Sequence, residues 1–155
     1  SDKEIPGSKD LNLIKFIDLY IYNVSKKRGQ ILLKKSLDSF LKDCLIRSKK
    51  TAFSNLDRND LETSLIYFLK TNINSHREWS KAYRKFSNEF NESDKTVSDE
   101  MLSYNFITTI RQLTITAFKG SEYIGENVLV YRPIPGEQEG CVDLEETTGG
   151  RAWSI

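Results

Sequence analysis

Apolar side chains recur at steps of three and four as far as Gly120, and that period selects helix over strand along most of the chain. Leu13, Phe16, Ile17, Tyr20, Ile21 and Val24 form the first stripe. They predict a helix over residues 10–27 with its apolar face in the core and Gly29 as its stop. Leu33, Leu37, Phe40, Leu41, Cys44 and Leu45 predict a second helix over 30–46. Phe53 and Leu56 read as loop anchors that drop into the core. Asp57 or Asn59 then caps a third helix carrying Leu61, Leu65, Phe68 and Leu69. Trp79, Tyr83, Phe86 and Phe90 predict a fourth helix over 75–90, with these rings as core. Ser98 caps a fifth, with Asp99 and Glu100 in its first turn, where acids complement the helix dipole. That helix carries Leu102, Phe106, Ile110, Leu113 and Ala117, and Gly120 closes it.

No segment alternates with the period of a strand, so the expected fold class is all-α. The expected organisation is a polar leader over 1–9 with a Pro6-Gly7 break, one helical domain of about five helices over 10–120, and a long irregular C-terminal tail over 121–155. From Gly120 onward the chain holds six of its eight glycines and two of its three prolines, which is why helix is expected to give way there. A short helix over 124–130 and irregular chain from Arg132 complete the reading.

A chain of 155 residues can bury a core without metal or disulfide staples. Its 8 Phe, 7 Tyr and 2 Trp argue for order, because disordered chains lack large apolar side chains. The net charge of +1 argues against a nucleic-acid partner, which ordinarily demands a strong basic excess. The short runs Ser25-Lys26-Lys27-Arg28 and Arg47-Ser48-Lys49-Lys50 read as solvated helix ends. No apolar run reaches the roughly 20 residues of a membrane helix.

Little in the sequence points to chemistry. The single histidine, His76, stands at an expected helix start among Asn74, Ser75 and Arg77 and reads as exposed or capping, since a hydrolase triad or a His-rich metal site needs more partners. No Gly-rich loop follows a strand, and no Cys-x-x-Cys-His haem motif occurs. Acidic neighbours such as Glu145-Glu146 read as solvated. The expectation is therefore no catalytic, cofactor-binding or metal-binding residue in this chain. A small enzyme with an unrecognised site is the reading that a deep polar pocket with convergent carboxylates would favour. Cys44 falls on an apolar helical face and reads as a buried thiol, whereas Cys141 falls in a polar tail.

The two ends of the chain carry a resemblance. Ile5-Pro6-Gly7-Ser8-Lys9-Asp10 leads into Phe16-Ile17-Asp18; Phe53 and Leu56 anchor the middle. The run Thr114–Gly136 then holds a helix end at Gly120, Ser121-Glu122, Gly125, the Leu129-x-Tyr131 spacing and the Pro135-Gly136 turn, before Cys141 and Ala152-Trp153. This ordered set resembles the gluconate 2-dehydrogenase subunit 3 family.

The resemblance implies a non-catalytic small subunit that binds, stabilises or helps export an FAD-dependent sugar or polyol dehydrogenase large subunit, in a chaperone-like way. A cytochrome c subunit is the further partner it implies. FAD and haem would sit only in those partner subunits. It also implies a periplasmic or otherwise extracytoplasmic location, with membrane association through a removed N-terminal signal or a lipid anchor that would lie before Ser1. The competing expectation is a stand-alone exported helical protein that kept the fold without the dehydrogenase.

The partner-binding candidates are Gly120, Ser121, Glu122, Tyr123, Tyr131, Arg132, Pro133, Pro135, Gly136 and Trp153. Tyr, Trp and Arg dominate binding hot spots, and the prolines lower the ordering cost of docking. The same aromatics could instead fill the chain's own core. In an oxidising compartment Cys141 is a candidate for an intersubunit disulfide, with Cys44–Cys141 pairing within the chain as the alternative.

Overall fold

Helix after helix follows in the computed structural model, which describes residues 5–90, 98–129 and 143–151. The order is α1 (Leu13–Asn23), α2 (Lys27–Ser48), a 3-10 turn (Phe53–Asn55), α3 (Arg58–Lys70), α4 (Ile73–Glu89), α5 (Asp99–Lys119), α6 (Glu122–Asn127) and α7 (Leu144–Thr148). No strand occurs among the described residues, so the fold is all-α as its periodicity predicts. The chain forms two units, one of Ser1–Tyr20 with Gln112–Ile155 and the other of Ile21–Arg111.

The first helix is shorter than its apolar stripe. Asn12 is left-handed, with φ 51°, and the backbone N–H groups of Leu11 and Leu13 close turns onto Gly7 and Ser8 at 3.2 and 3.1 Å. Helix therefore starts at Leu13 and not at Asp10. At the other end Gly29 stops nothing, because it lies in the first turn of α2. The stop comes from Gln30, whose side-chain amide donates to the carbonyls of Ile21, Tyr22 and Ser25 at 2.9, 3.1 and 3.2 Å. Those are orphan acceptors of the kind that every helix C-terminus leaves.

The core of the Ile21–Arg111 unit is built from Phe40 and Cys44 on α2, Phe68 on α3 and Ile107 on α5. Leu56, Leu61, Leu65, Trp79, Tyr104 and Phe106 pack around it. Phe40 stacks on Phe106 with ring centroids 5.5 Å apart, and Phe68 meets Trp79 edge-on at 5.7 Å. Ser36, Ser64 and Ser103 have no exposed surface; such small groups let helices approach closely. Ser39 Oγ donates to Asp99 Oδ1 at 2.8 Å and ties α2 to the first turn of α5.

Several core expectations need correction. Phe53 is 53% exposed on the 3-10 turn, while Leu56 alone anchors the loop. Leu69 lies off the stripe of Leu61, Leu65 and Phe68 and is exposed. Phe86 and Phe90 are half-buried, since the Lys35 ammonium sits over both rings at 5.8 and 5.4 Å. Arg28 is no idle solvated cation. Its Nη2 donates to the carbonyls of Ser87, Asn88 and Phe90 at 2.6, 3.2 and 3.3 Å, at the end of α4 where a cation suits the dipole.

Asp57, and not Asn59, caps α3. Asp57 Oδ1 accepts from the Asp60 N–H at 3.0 Å, and Asp60 Oδ2 accepts from the Asp57 N–H at 2.9 Å, a reciprocal capping box. Lys50 Nζ bridges the two carboxylates at 3.1 and 2.5 Å. The Asp60 N–H, followed by Lys50, holds the Asp57 carboxyl below the ordinary carboxylate range. A depressed folded pKa contributes stability above the unfolded value and loses it as pH falls through the folded one. Asp57 is thus expected to contribute at neutral pH and to lose that contribution progressively as pH falls below about 4, through its lowered folded value. Asp57→Asn, which keeps a capping oxygen, is expected to show a shallower loss of melting temperature between about pH 5 and pH 2 than the parent chain, whereas Asp57→Ala is expected to melt lower even at neutral pH. Circular-dichroism melts across that range provide the check.

In the other unit the described buried side chains are Leu13, Ala117, Ile124 and Thr148. The expected helix over 124–130 forms earlier, as α6, because Ser121 Oγ accepts from the Ile124 N–H at 3.4 Å and sets its start. Within the segment read as irregular, α7 forms and ends on Gly149 and Gly150, whose φ values of 60° and 74° suit glycine alone at low cost.

Candidate interaction surface

His76 is not free to do chemistry at a helix start. Its Nε2 lies 2.6 Å from the Phe68 carbonyl, and its ring stacks on Tyr104 at 4.7 Å and tilts against Trp79 at 6.0 Å. The side chain is half-buried and joins the start of α4 to the end of α3, so the exposed or capping role expected for it is incorrect. The cap is Asn72, whose side chain accepts from the Ser75 N–H at 2.9 Å. Among the described residues no three His, Cys, Asp or Glu side chains gather as a metal site would need.

Cys44 has no exposed surface and is a free thiol, as its place on the apolar stripe predicts. Burial pushes its pKa up, away from the reactive thiolate. We expect Cys44 to resist alkylation in the folded chain and to react within minutes in strong denaturant; peptide-resolved mass spectrometry reads Cys44 separately from Cys141.

The tail candidates divide into those that are described and those that are not. Gly120 closes α5, donating from its N–H to the Thr116 carbonyl at 2.9 Å, and a Cβ there would stand 3.2 Å from that oxygen. Ser121 caps α6 while its hydroxyl donates to the Phe118 carbonyl at 2.9 Å. Both are engaged in turning the chain from one helix into the next. Glu122 is exposed in the first turn of α6, and Tyr123 beside it presents an exposed ring. Tyr131, Arg132, Pro133, Pro135, Gly136, Cys141 and Trp153 lie outside the described residues.

Open apolar surface among the described residues also lies on α1. Eight of its 11 residues are apolar or aromatic, and the only polar ones are Lys15, Asp18 and Asn23. Only Leu13 is buried. Ile14 is 78% exposed, Tyr22 77%, Leu19 50% and Phe16 44%. Phe16 stacks on Tyr20 at 6.2 Å, so part of this surface is already ordered. Large exposed apolar patches of this kind mark interaction sites.

Ile14, Leu19 and Tyr22 fall off the stripe of Leu13, Ile17 and Ile21, so helical periodicity does not announce them. The signal that would have found them is the number of apolar residues outside the stripe. No helix among the described residues is long and apolar enough to cross a membrane.

The family described as Gluconate 2-dehydrogenase subunit 3 matches residues 1–136, which include all of α1 and the turn through Gly120 and Ser121. The match stops at Gly136, so Cys141 and Trp153 lie beyond it. No curated protein and no solved structure matches the chain.

Proposed function

Because the chain belongs to the gluconate 2-dehydrogenase subunit 3 family, we propose that it is a non-catalytic small subunit that binds an FAD-dependent sugar or polyol dehydrogenase large subunit, stabilises it and accompanies its export. The observation that carries this reading is α1, in which eight of 11 residues are apolar or aromatic yet only Leu13 is buried. Closing such a helix into a partner removes apolar surface from water at about 25 cal/mol per Å² before the costs of association. In this reading α1 is the main docking element, and the exposed Tyr123 with the segment from Tyr131 to Gly136 adds a second contact. FAD and haem belong to the large subunit and to a cytochrome c subunit, and this chain contributes contact surface. The assembly works outside the cytoplasm, with Cys141 as the candidate for a covalent link to the large subunit.

Affinity purification of the tagged chain from its native host tests the proposal. A stoichiometric flavoprotein with sugar- or polyol-oxidising activity is the expected companion. Recovery of the chain alone from cells that express such a flavoprotein would refute the reading in favour of a stand-alone exported protein.

A further inference from the structure

The α4 helix carries a second surface of different chemistry. Counting 100° per residue, Arg77, Lys81 and Arg84 fall at i, i+4 and i+7 on one face of α4, with Ser80 between them. Two adjoining cavities of about 310 and 340 Å³ run along that face and share Ser80, Arg84 and Tyr104. Arg77 and Lys81 line one of them; Trp79, Tyr83 and Asn105 line the other. No carboxylate lines either cavity, and the helix's own acids, Glu78 and Glu89, lie outside both. No ion pair among the described residues engages Arg77, Lys81 or Arg84, although Arg47, Lys50 and Arg58 of the same unit are all paired.

The two ends of the groove, Ile73 and Ser87, stand 14 helical steps apart, about 21 Å at 1.5 Å per residue. An extended peptide covers that distance with about six residues at roughly 3.3 Å each. Tyr104 forms its floor: its ring is fixed against His76 at 4.7 Å and Trp79 at 5.3 Å, so little side-chain entropy is lost on contact. The rings offer apolar area and the cations offer charge, in a line and at the scale of a peptide strand.

We infer that the α4–α5 groove binds an extended acidic segment of a partner protein, with its carboxylates on Arg77, Lys81 and Arg84 and its apolar side chains on Tyr104 and Trp79. Three cations in a chain of net charge +1 suit a few carboxylates better than the continuous phosphates of a nucleic acid. The inference stands on this groove alone and holds whether or not the partner at α1 is a dehydrogenase.

Fluorescence anisotropy with the full chain tests it, using a fluorescein-labelled hexapeptide of alternating glutamate and leucine. Saturable binding is expected, weakening about tenfold or more as salt rises from about 50 to about 500 mM. The triple variant Arg77→Ala/Lys81→Ala/Arg84→Ala is expected to bind at least about tenfold more weakly, with an unchanged circular-dichroism melt because all three side chains are exposed. Should the triple variant melt lower, Arg84→Glu alone is expected to give the same loss. Lys34→Ala, which removes an exposed cation of α2, is expected to bind as the parent does. Equal binding of a lysine–leucine hexapeptide, equal binding by parent and groove variants, absence of saturable binding, or retention of single-stranded oligothymidylate in preference to the acidic peptide would each overturn the inference.

Discussion

Under the proposed docking through α1, the double variant Ile14→Glu/Tyr22→Glu is expected to abolish recovery of the proposed dehydrogenase large subunit while leaving the isolated chain folded. Both side chains are more than three-quarters exposed, so the fold has little to lose at either position. Surface substitutions of this kind usually move stability by less than about 0.5 kcal/mol. At a buried interface the same changes remove two large apolar anchors and force two carboxylates out of water. Truncating one anchor of a hot spot costs about 2 kcal/mol or more, roughly 30-fold in affinity, and an unpaired buried charge adds to it. The combined loss is expected to exceed about 100-fold. Parallel pull-down and thermal melting provide the check. A variant that still captures the large subunit at parental yield would move the docking surface away from α1.

The second large effect concerns the core. Phe68→Ala is expected to destabilise the chain by about 3–5 kcal/mol, against a total of about 5–15 kcal/mol for a domain. The ring has no exposed surface and lies within the cluster of Phe40, Cys44 and Ile107. It also touches Tyr67 edge-on at 5.0 Å and Trp79 at 5.7 Å, so its removal leaves a cavity and loosens two neighbouring rings. The Arg47 guanidinium lies over Tyr67 and Phe68, 3.4 and 5.6 Å from their ring centres, and keeps its 2.6 Å bond to Asp43. The melting temperature is expected to fall by roughly 10 °C or more, and urea unfolding should give the same ranking. Phe68→Leu, which fills most of the volume, is expected to cost about 1 kcal/mol.

Much of this fold is legible from periodicity, since helix existence depends on spacing within a few turns. Leu61, Leu65 and Phe68 recur at helical spacing, Ser98 and Gly120 punctuate α5, and the class follows from them. What failed was set by contacts distant in sequence or by local hydrogen bonds that compete with propensity. Gly29 looked like a stop until Gln30 supplied the acceptors of α1 with a donor eight and nine residues away. Arg28 reaches carbonyls 59 to 62 residues ahead, which no local pattern can announce. His76 stands at a helix start as read, but its partner is a carbonyl of the preceding helix.

The candidate surfaces were legible to different depths. The segment from Gly120 onward stands out by composition, and Gly120 and Ser121 there turn the chain between two helices. The exposed side of α1 was hidden by the assumption that an apolar stripe faces inward, although Ile14 and Tyr22 never fitted the stripe. The cations of α4 are visible at i, i+4 and i+7, but a row of charges on a helix ordinarily means a solvated face. Only the rings of Trp79, Tyr83 and Tyr104 beside it turn the row into a groove.

The open apolar surface of α1 also bears on how the chain is made. A copy released without a companion presents Ile14, Phe16, Leu19 and Tyr22 to water, and the most abundant apolar surface it meets is that of its own siblings. Exposed patches of this kind are aggregation liabilities. In the proposed assembly, synthesis in excess over the partner is expected to convert surplus chain into aggregate or protease substrate. In that proposed assembly the helix thereby ties the useful yield of the protein to the supply of its partner, a constraint on expression level written into 11 residues.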